Sequence, residues 1–231
     1  MTNLPRVFAV VPAAGVGKRM AADRPKQYLE LAGCTVIEHS LQRLLSAGCF
    51  QAIAVAISAT DPYWPELAIS QHEQIITAPG GQERADSVLS GLNALAGVAD
   101  AQDWVMVHDA ARPCLPVTDI RRLLDMLADD DIGGILGLPS HDTLKQVTDA
   151  AIQKTYDRGH IWRALTPQMF RFSLLQQALT DHQGNRAVTD EASAIELSGY
   201  TPKMVEGSPA NIKITRPEDL ALAEFYLAHL R

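Results

Sequence analysis

Apolar positions along this chain follow two rhythms. Short runs that are apolar on both faces recur at VFAVV (7–11), QAIAVAI (51–57), QIIT (74–77), DWVMVHD (103–109) and GGILGLP (133–139). Between them lie segments with helical spacing at 36–48, 83–97 and 117–130, the first stopping at Gly48 and the second at Gly97. Strands without a polar face, alternating with helices, predict a mostly parallel twisted sheet covered on both sides, a Rossmann-like α/β fold with right-handed crossovers. Thr118 or Asp119 is the expected cap of the third helix.

Towards the end, SLLQQALTDH and TDEASAIELSG read as helices, and TPKMVEG and NIKIT as strands. Thr215 and Glu218 have the spacing of a capping box for a last helix, PEDLALAEFYLAHL. The rhythm breaks only at about 139–160. Two polar-alternating runs, LKQVT and AIQKTY, flank Asp149-Ala150 there, which predicts a small protruding hairpin. It is either a solvated excursion or an arm for dimerisation. The chain, 1–231, is expected to form a single domain that carries this arm.

Composition narrows the class. With 231 residues, 47% of them hydrophobic, the chain can bury a large core. A formal net charge of −7 argues against broad contact with nucleic acid or a membrane surface, while leaving room for a local basic pocket. Cys34, Cys49 and Cys114 show no paired spacing, and no leader or membrane-spanning pattern is visible, so a cytoplasmic protein with reduced thiols is expected. The seven histidines show no metal-ligand spacing, and only His108 stands near candidate chemistry.

In open α/β sheets, ligands bind beyond the carboxyl ends of the strands. Two chemically loaded stretches begin where strands end, PAAGVGKRM (12–20) and HDAARP (108–113), so both belong on one edge. The first is a phosphate loop of unusual form. Gly15 and Gly17 fit a dinucleotide fingerprint, but Met20 replaces its third glycine. Gly17-Lys18 fit a Walker loop, but Pro12 and Arg19 replace its first glycine and its hydroxyl. What is left is a glycine turn with two adjacent cations, Lys18 and Arg19, suited to a highly charged phosphate ligand. Lys26 in PKQY (25–28) follows as a third cation.

With GxGKRM and PKQY, the motifs GGQERADSVLSG (80–91), HDAARP, VTDEASAIE (188–196) and NIKITRPEDL (211–220) follow in order. Together they resemble the 2-C-methyl-D-erythritol 4-phosphate cytidylyltransferases over about residues 7 to 230. That family transfers CMP from CTP to a polyol phosphate with a divalent metal, Mg2+, and releases pyrophosphate. The resemblance implies that Arg19, Lys26 and Lys213 are the catalytic cations. It places Ala13, Ala14, Gly15, Gly17, Lys18, Gly81, Gln82 and Ser87 on the nucleotide, with backbone carbonyls at Ala13–Ala14 and Gly81 reading the cytosine amino group. It places Asp109, Arg112, Thr143, Arg158 and Thr189 on the acceptor, and Asp109 on the metal. Thr143 and Arg158 lie on the arm, which in the family reaches the neighbour's site, so a homodimer with shared sites is implied. One departure is Gln82, where the family pattern has an acid. Its amide can turn to donate, which relaxes the preference for CTP. Taken alone, Lys213 is a strand lysine facing water, Thr189 an N-cap, Ser87 a helix-surface serine and Arg158 a loop charge. A ribitol 5-phosphate cytidylyltransferase and a non-catalytic or NAD-binding Rossmann-like protein are the alternatives.

Overall fold

A computed structural model of the chain describes residues 6–15 and 24–229. Among these residues, eleven strands and six α-helices follow in chain order: β1 (Val7–Pro12), β2 (Glu30–Leu31), β3 (Cys34–Thr35), α1 (Val36–Ala47), β4 (Phe50–Ile57), β5 (Ile75–Pro79), α2 (Arg84–Leu95), β6 (Trp104–Val107), α3 (Val117–Leu127), β7 (Gly133–Pro139), β8 (Lys145–Thr148), β9 (Ala151–Thr155), β10 (Trp162–Arg171), α4 (Phe172–Asp181), α5 (Glu191–Leu197), β11 (Lys203–Glu206) and α6 (Glu218–His229).

Seven strands form one sheet in the order β11-β7-β10-β6-β1-β4-β5. Every neighbouring pair is parallel except those made by β10, which runs antiparallel to both β6 and β7. The predicted Rossmann-like α/β fold is therefore present as a mixed, mostly parallel sheet. Because side chains alternate across a strand, β1 feeds two cores. Val7, Ala9 and Val11 pack with Ile37, Leu41 and Leu44 of α1 and Ile120, Leu123 and Leu127 of α3. Phe8 and Val10 pack on the other face with Val88 and Leu92 of α2, Leu175 of α4 and Ile195 of α5. Gly91 lets α2 approach β1 closely, since a Cβ there would lie 2.5 Å from Val10 Cγ1.

The helix signals divide instructively. α1 ends at Gly48 in the left-handed region (φ 67°), as expected, and a Thr35–Glu38 capping box opens it. The expected caps elsewhere are displaced. Pro116, not Thr118 or Asp119, precedes α3, and Asp119 turns inward to accept the Ser208 N–H at 2.6 Å. At α6 the predicted Thr215–Glu218 box is absent. Asp219 instead accepts from the backbone N–H groups of Thr215 and Arg216, both at 2.8 Å.

Two strand expectations also change. NIKIT is not a strand: 211–215 is irregular backbone, tied down by an Ile214 N–H bond to the Ala111 carbonyl at 2.8 Å. Conversely, 162–171 is a ten-residue strand that the pattern does not announce. Pro167 within it argues against a central strand, because proline cannot donate to a ladder. The fold accommodates it where the pairing of β10 with β7 shifts register, between Ala164 and Gln168.

The predicted hairpin at the break in rhythm is present. β8 and β9 pair antiparallel, with Asp149 and Ala150 at positive φ (49° and 63°) in the two-residue turn. Every residue of both strands is exposed, Val147 and Ile152 included.

Candidate active site

Parallel strands carry their carboxyl ends to the same edge, and the loops after β1, β5 and β6 meet there. Ala13 N–H bonds the Ala56 carbonyl at 2.8 Å and Gly80 N–H bonds the Ile57 carbonyl at 2.7 Å, so both loops are tied to the end of β4. Side chains at Gly80 and Gly81 would collide with Ala14 and Asp86 respectively. The glycines thus allow the loop before α2 to close on its neighbours.

One cleft at this edge is lined by Ala13, Ala14 and Gly15 on one side and Gly81, Gln82 and Ser87 on another. Lys26, Arg84, Asp109 and Lys213 complete its polar wall. The structure thus brings together nine residues singled out in the sequence: Ala13, Ala14, Gly15, Lys26, Gly81, Gln82, Ser87, Asp109 and Lys213. Gly17, Lys18 and Arg19 lie outside the described residues.

The two lysines of the cleft arrive from distant parts of the chain. Lys26 sits in a single 3-10 turn after Pro25, and its Nζ donates to the Ile214 carbonyl at 2.9 Å. That carbonyl belongs to the residue after Lys213, so one contact sets Lys26 against the segment bearing the other lysine. Lys213 Nζ pairs with Asp109 Oδ2 at 2.7 Å. Losing its strand does not loosen the segment. Asn211 Oδ1 is buried without a hydrogen-bond partner, but Asn211 Nδ2 donates to the Thr166 carbonyl and its own carbonyl accepts from Arg112, both at 2.7 Å.

Asp109 is the hub. Arg84 Nε donates to its Oδ1 at 3.0 Å, and Arg112 Nε lies 3.6 Å from Oδ2. Burial alone would raise the carboxyl's pKa, but the charges of Arg84, Lys213 and Arg112 outweigh it and hold the group far below the ordinary range. Arg84 also forks onto Glu191, at 2.6 and 3.0 Å. Glu191 is fully buried, and burial pushes its carboxyl up against the pull of Arg84.

Behind the hub stands His108, wholly buried. Its Nε2 lies 3.1 Å from the Arg112 carbonyl, which can only accept, so Nε2 carries the proton. Nδ1 therefore accepts from the Thr166 hydroxyl at 3.0 Å, and Thr166 Oγ1 in turn accepts the Asp109 backbone N–H at 3.1 Å. Burial lowers the histidine's pKa to about 4, with the hydrogen bond to the Arg112 carbonyl opposing. His108 is thus a neutral brace for the Asp109 backbone.

Other expected residues occupy different places. Ser87 is buried rather than on a helix surface, and its Oγ accepts the Gly81 N–H at 3.0 Å. The Ala13 carbonyl already accepts from Gln27 Nε2 at 2.7 Å, leaving one lone pair for a base. Arg112 is buried behind Asp109 and does not line the cleft. Thr189 is exposed in an adjoining cleft with Glu83, Arg84 and Glu191. It does not cap α5: Asp190 does, accepting the Ser193 N–H at 3.0 Å. Thr143 and Arg158 are exposed on the arm, away from this cleft, with Arg158 Nη1 donating to the His141 carbonyl at 2.7 Å.

Sequence reasoning missed Arg84, Glu191 and Thr166. Arg84 and Glu191 stand inside the quoted motifs ERADSV and TDEAS, so the signal was two opposite charges each opening a helical segment. Thr166 had no signal, because its strand was not recognised.

Among the described residues, no three His, Cys, Asp or Glu side chains come together as a metal site. Magnesium, however, needs only one or two carboxylates when phosphates and water supply the other oxygens. Asp109 at the cleft fits an ion of that kind and does not fit an ion held by protein alone. No helix among the described residues is long and apolar enough to cross a membrane.

The His108 brace makes stability pH-dependent with a defined sign. Its folded pKa lies below the ordinary ~6.5, so between ~6.5 and about 4 the unfolded chain takes up a proton that the folded chain does not. The contribution is whole above that window and falls as pH drops through it. Urea unfolding at pH 7 and 4.5 should show wild type losing about 2 kcal/mol more than His108→Gln between the two. Identical losses would remove this role.

With the geometry in hand, comparison with known proteins is decisive. A sequence model of the 2-C-methyl-D-erythritol 4-phosphate cytidylyltransferase family matches residues 7–229. The chain is 53% identical over 228 residues to a protein of that name from Vibrio atlanticus (strain LGP32), covering 98% of this chain and 97% of that one. It is 53% identical over 222 residues to the protein of that name from Pseudomonas entomophila (strain L48), covering 95% and 94%. The crystal structure of the Francisella tularensis protein of that name superposes with a TM-score of 0.84 at 37% identity, covering 96% of this chain and 99% of that one. The chain belongs to the 2-C-methyl-D-erythritol 4-phosphate cytidylyltransferase family.

Proposed function

We propose that this chain transfers CMP from CTP to 2-C-methyl-D-erythritol 4-phosphate, giving 4-diphosphocytidyl-2-C-methyl-D-erythritol and pyrophosphate in the non-mevalonate isoprenoid pathway. The observation that carries the proposal is the meeting of Lys26, Lys213 and Asp109 at one sheet edge, beside the glycine loop at Gly81.

The chemistry needs alignment more than acid–base help. A phosphomonoester has a second pKa of ~6, so the acceptor phosphate is largely dianionic at neutral pH and is already a nucleophile. One of its oxygens forms a bond to the α-phosphorus of CTP, and the bond to the bridging oxygen breaks, its electron pair leaving on pyrophosphate. Negative charge accumulates on the α-phosphoryl oxygens, and fixed cations there stabilise the transition state. Lys26 acts as a point charge on those oxygens, and Arg19 forks onto the triphosphate beside Lys18. Lys213, steered by Asp109, receives the incoming phosphate. A divalent ion, Mg2+ in this reading, would supply further charge neutralisation on the triphosphate, and Asp109 is the residue that would hold it.

The base lies between Ala13–Ala14–Gly15 and Gly81–Gln82. A backbone carbonyl accepts from the cytosine amino group and opposes the uracil carbonyl, a mismatch that discriminates strongly. Gln82 is exposed, which leaves its amide free to turn. Ser87, by holding Gly81, keeps the loop in shape. Arg112 and Thr189 flank the acceptor side, the former through Asp109.

The reading includes a single nucleotidyltransferase domain whose arm, at about 139–160, joins two copies into a homodimer. Thr143 and Arg158 then serve the neighbour's cleft, which accords with their distance from their own and with exposed Val147 (54%), Ile152 (64%) and Trp162 (38%). The three free cysteines accord with a cytoplasmic location.

The test is pyrophosphate release from CTP and magnesium with methylerythritol phosphate or ribitol 5-phosphate as acceptor. Release that depends on methylerythritol phosphate is expected, and a large preference for ribitol 5-phosphate contradicts the reading. Lys26→Ala should lower kcat ~100- to 1000-fold while thermal unfolding stays close to wild type; near-normal kcat would take Lys26 out of the mechanism. Mixing inactive Arg158→Ala and Lys26→Ala proteins should restore part of the activity through hybrid dimers, and a strictly monomeric protein in solution refutes shared sites.

A further inference from the structure

Arg84 and Glu191 are assigned nothing by the mechanism above, yet they form a two-bond ion pair whose carboxylate is buried. Glu191 is fully buried and opens α5, and both its oxygens are taken by Arg84, which opens α2. The backbone beside Glu191 is pinned as well. Gln168 of β10 accepts the Ala192 N–H at 2.9 Å and donates to Asp190 Oδ2 at 2.9 Å. A buried ion pair of this kind is weak evidence for stability, since desolvation consumes much of the attraction. Its geometry suggests another use.

The third donor of the Arg84 guanidinium, Nε, points at Asp109 Oδ1. Two cations compete for the other oxygen. Lys213 holds Oδ2 at 2.7 Å, while Arg112 Nε lies 3.6 Å away, buried and without a hydrogen-bond partner. An unpartnered buried guanidinium N–H is costly. A modest rotation of the Asp109 carboxylate would satisfy it and let Lys213 go. Arg84 opposes that rotation by holding Oδ1.

We propose that Arg84, locked by Glu191, is a positioning residue that fixes the Asp109 carboxylate in favour of Lys213 over Arg112, and so places the cation that receives the acceptor phosphate. The inference rests on the cytidylyltransferase reading for the identity of that acceptor.

The test uses the full chain with Arg84→Gln, Glu191→Gln, Lys213→Ala and the doubles that combine Lys213→Ala with each. The apparent KM for CTP should change less than 3-fold in the singles, whereas kcat/KM for methylerythritol phosphate should fall at least 30-fold. Each double should be no slower than Lys213→Ala alone, because the pair acts through that lysine. Equal losses for both substrates, or a double whose loss is the product of the singles, overturns the proposal. Glu191→Gln, close in shape to the native residue, carries the same cycle if Arg84→Gln fails to fold. A crystal structure of either variant gives a readout independent of activity. Asp109 should have turned to Arg112 Nε and left Lys213. An unchanged 2.7 Å contact overturns the proposal whatever acceptor wild type uses. Absence of turnover by wild type with methylerythritol phosphate counts instead against the cytidylyltransferase reading.

Discussion

The arrangement at the sheet edge depends on one buried carboxylate. Asp109 follows a strand that is apolar throughout, and its burial would be prohibitive without compensation. Arg84, Lys213 and Arg112 supply it, from the start of α2, from the segment before α6, and from the next turn of its own loop. The pairings with Arg84 and Lys213 join elements that local sequence does not place near Asp109, while Arg112 lies only three residues on. The carboxylate is thus both an electrostatic necessity and the point that fixes where the cleft's cations stand. Thr166 and His108 hold its backbone from behind.

An acidic chain carrying net charge −7 can still offer a cationic cleft because the positive groups are focused where the strands end. Lys26 and Lys213 converge through the Ile214 carbonyl, and Asp109 offsets only part of the charge on that side. Such a cleft suits a ligand with several phosphates. In the proposed reaction most of the rate comes from holding two phosphates in line among these cations, which explains why no nucleophile–base pair is needed.

The central sheet was legible because its strands are buried on both faces and its helices carry an apolar stripe. Gly48 and the Asp149-Ala150 turn announced themselves by backbone conformation. Legibility failed where tertiary contacts overrule local rules. β10 hides behind Pro167 because a register shift absorbs the missing donor. NIKIT alternates like a strand but is pinned by side chains instead of a ladder. Asp119 has the look of a cap and spends its carboxylate on Ser208. At the site, the cations and glycines that face the ligand were visible in motifs; Arg84 and Glu191 stand in those motifs too, but their pairing with each other does not show there. A pair that meets only in space leaves no periodic mark.

The central claim is that the cleft directs an acceptor phosphate onto the α-phosphorus of CTP. Methylerythritol phosphate labelled with 18O in its phosphate tests this most directly, with products separated and analysed by mass spectrometry. The account predicts that all label remains in a cytidine diphosphate-linked alcohol, one labelled oxygen bridging the two phosphorus atoms, and that pyrophosphate carries none. Formation of CDP with a doubly phosphorylated alcohol, or label in pyrophosphate, would contradict it.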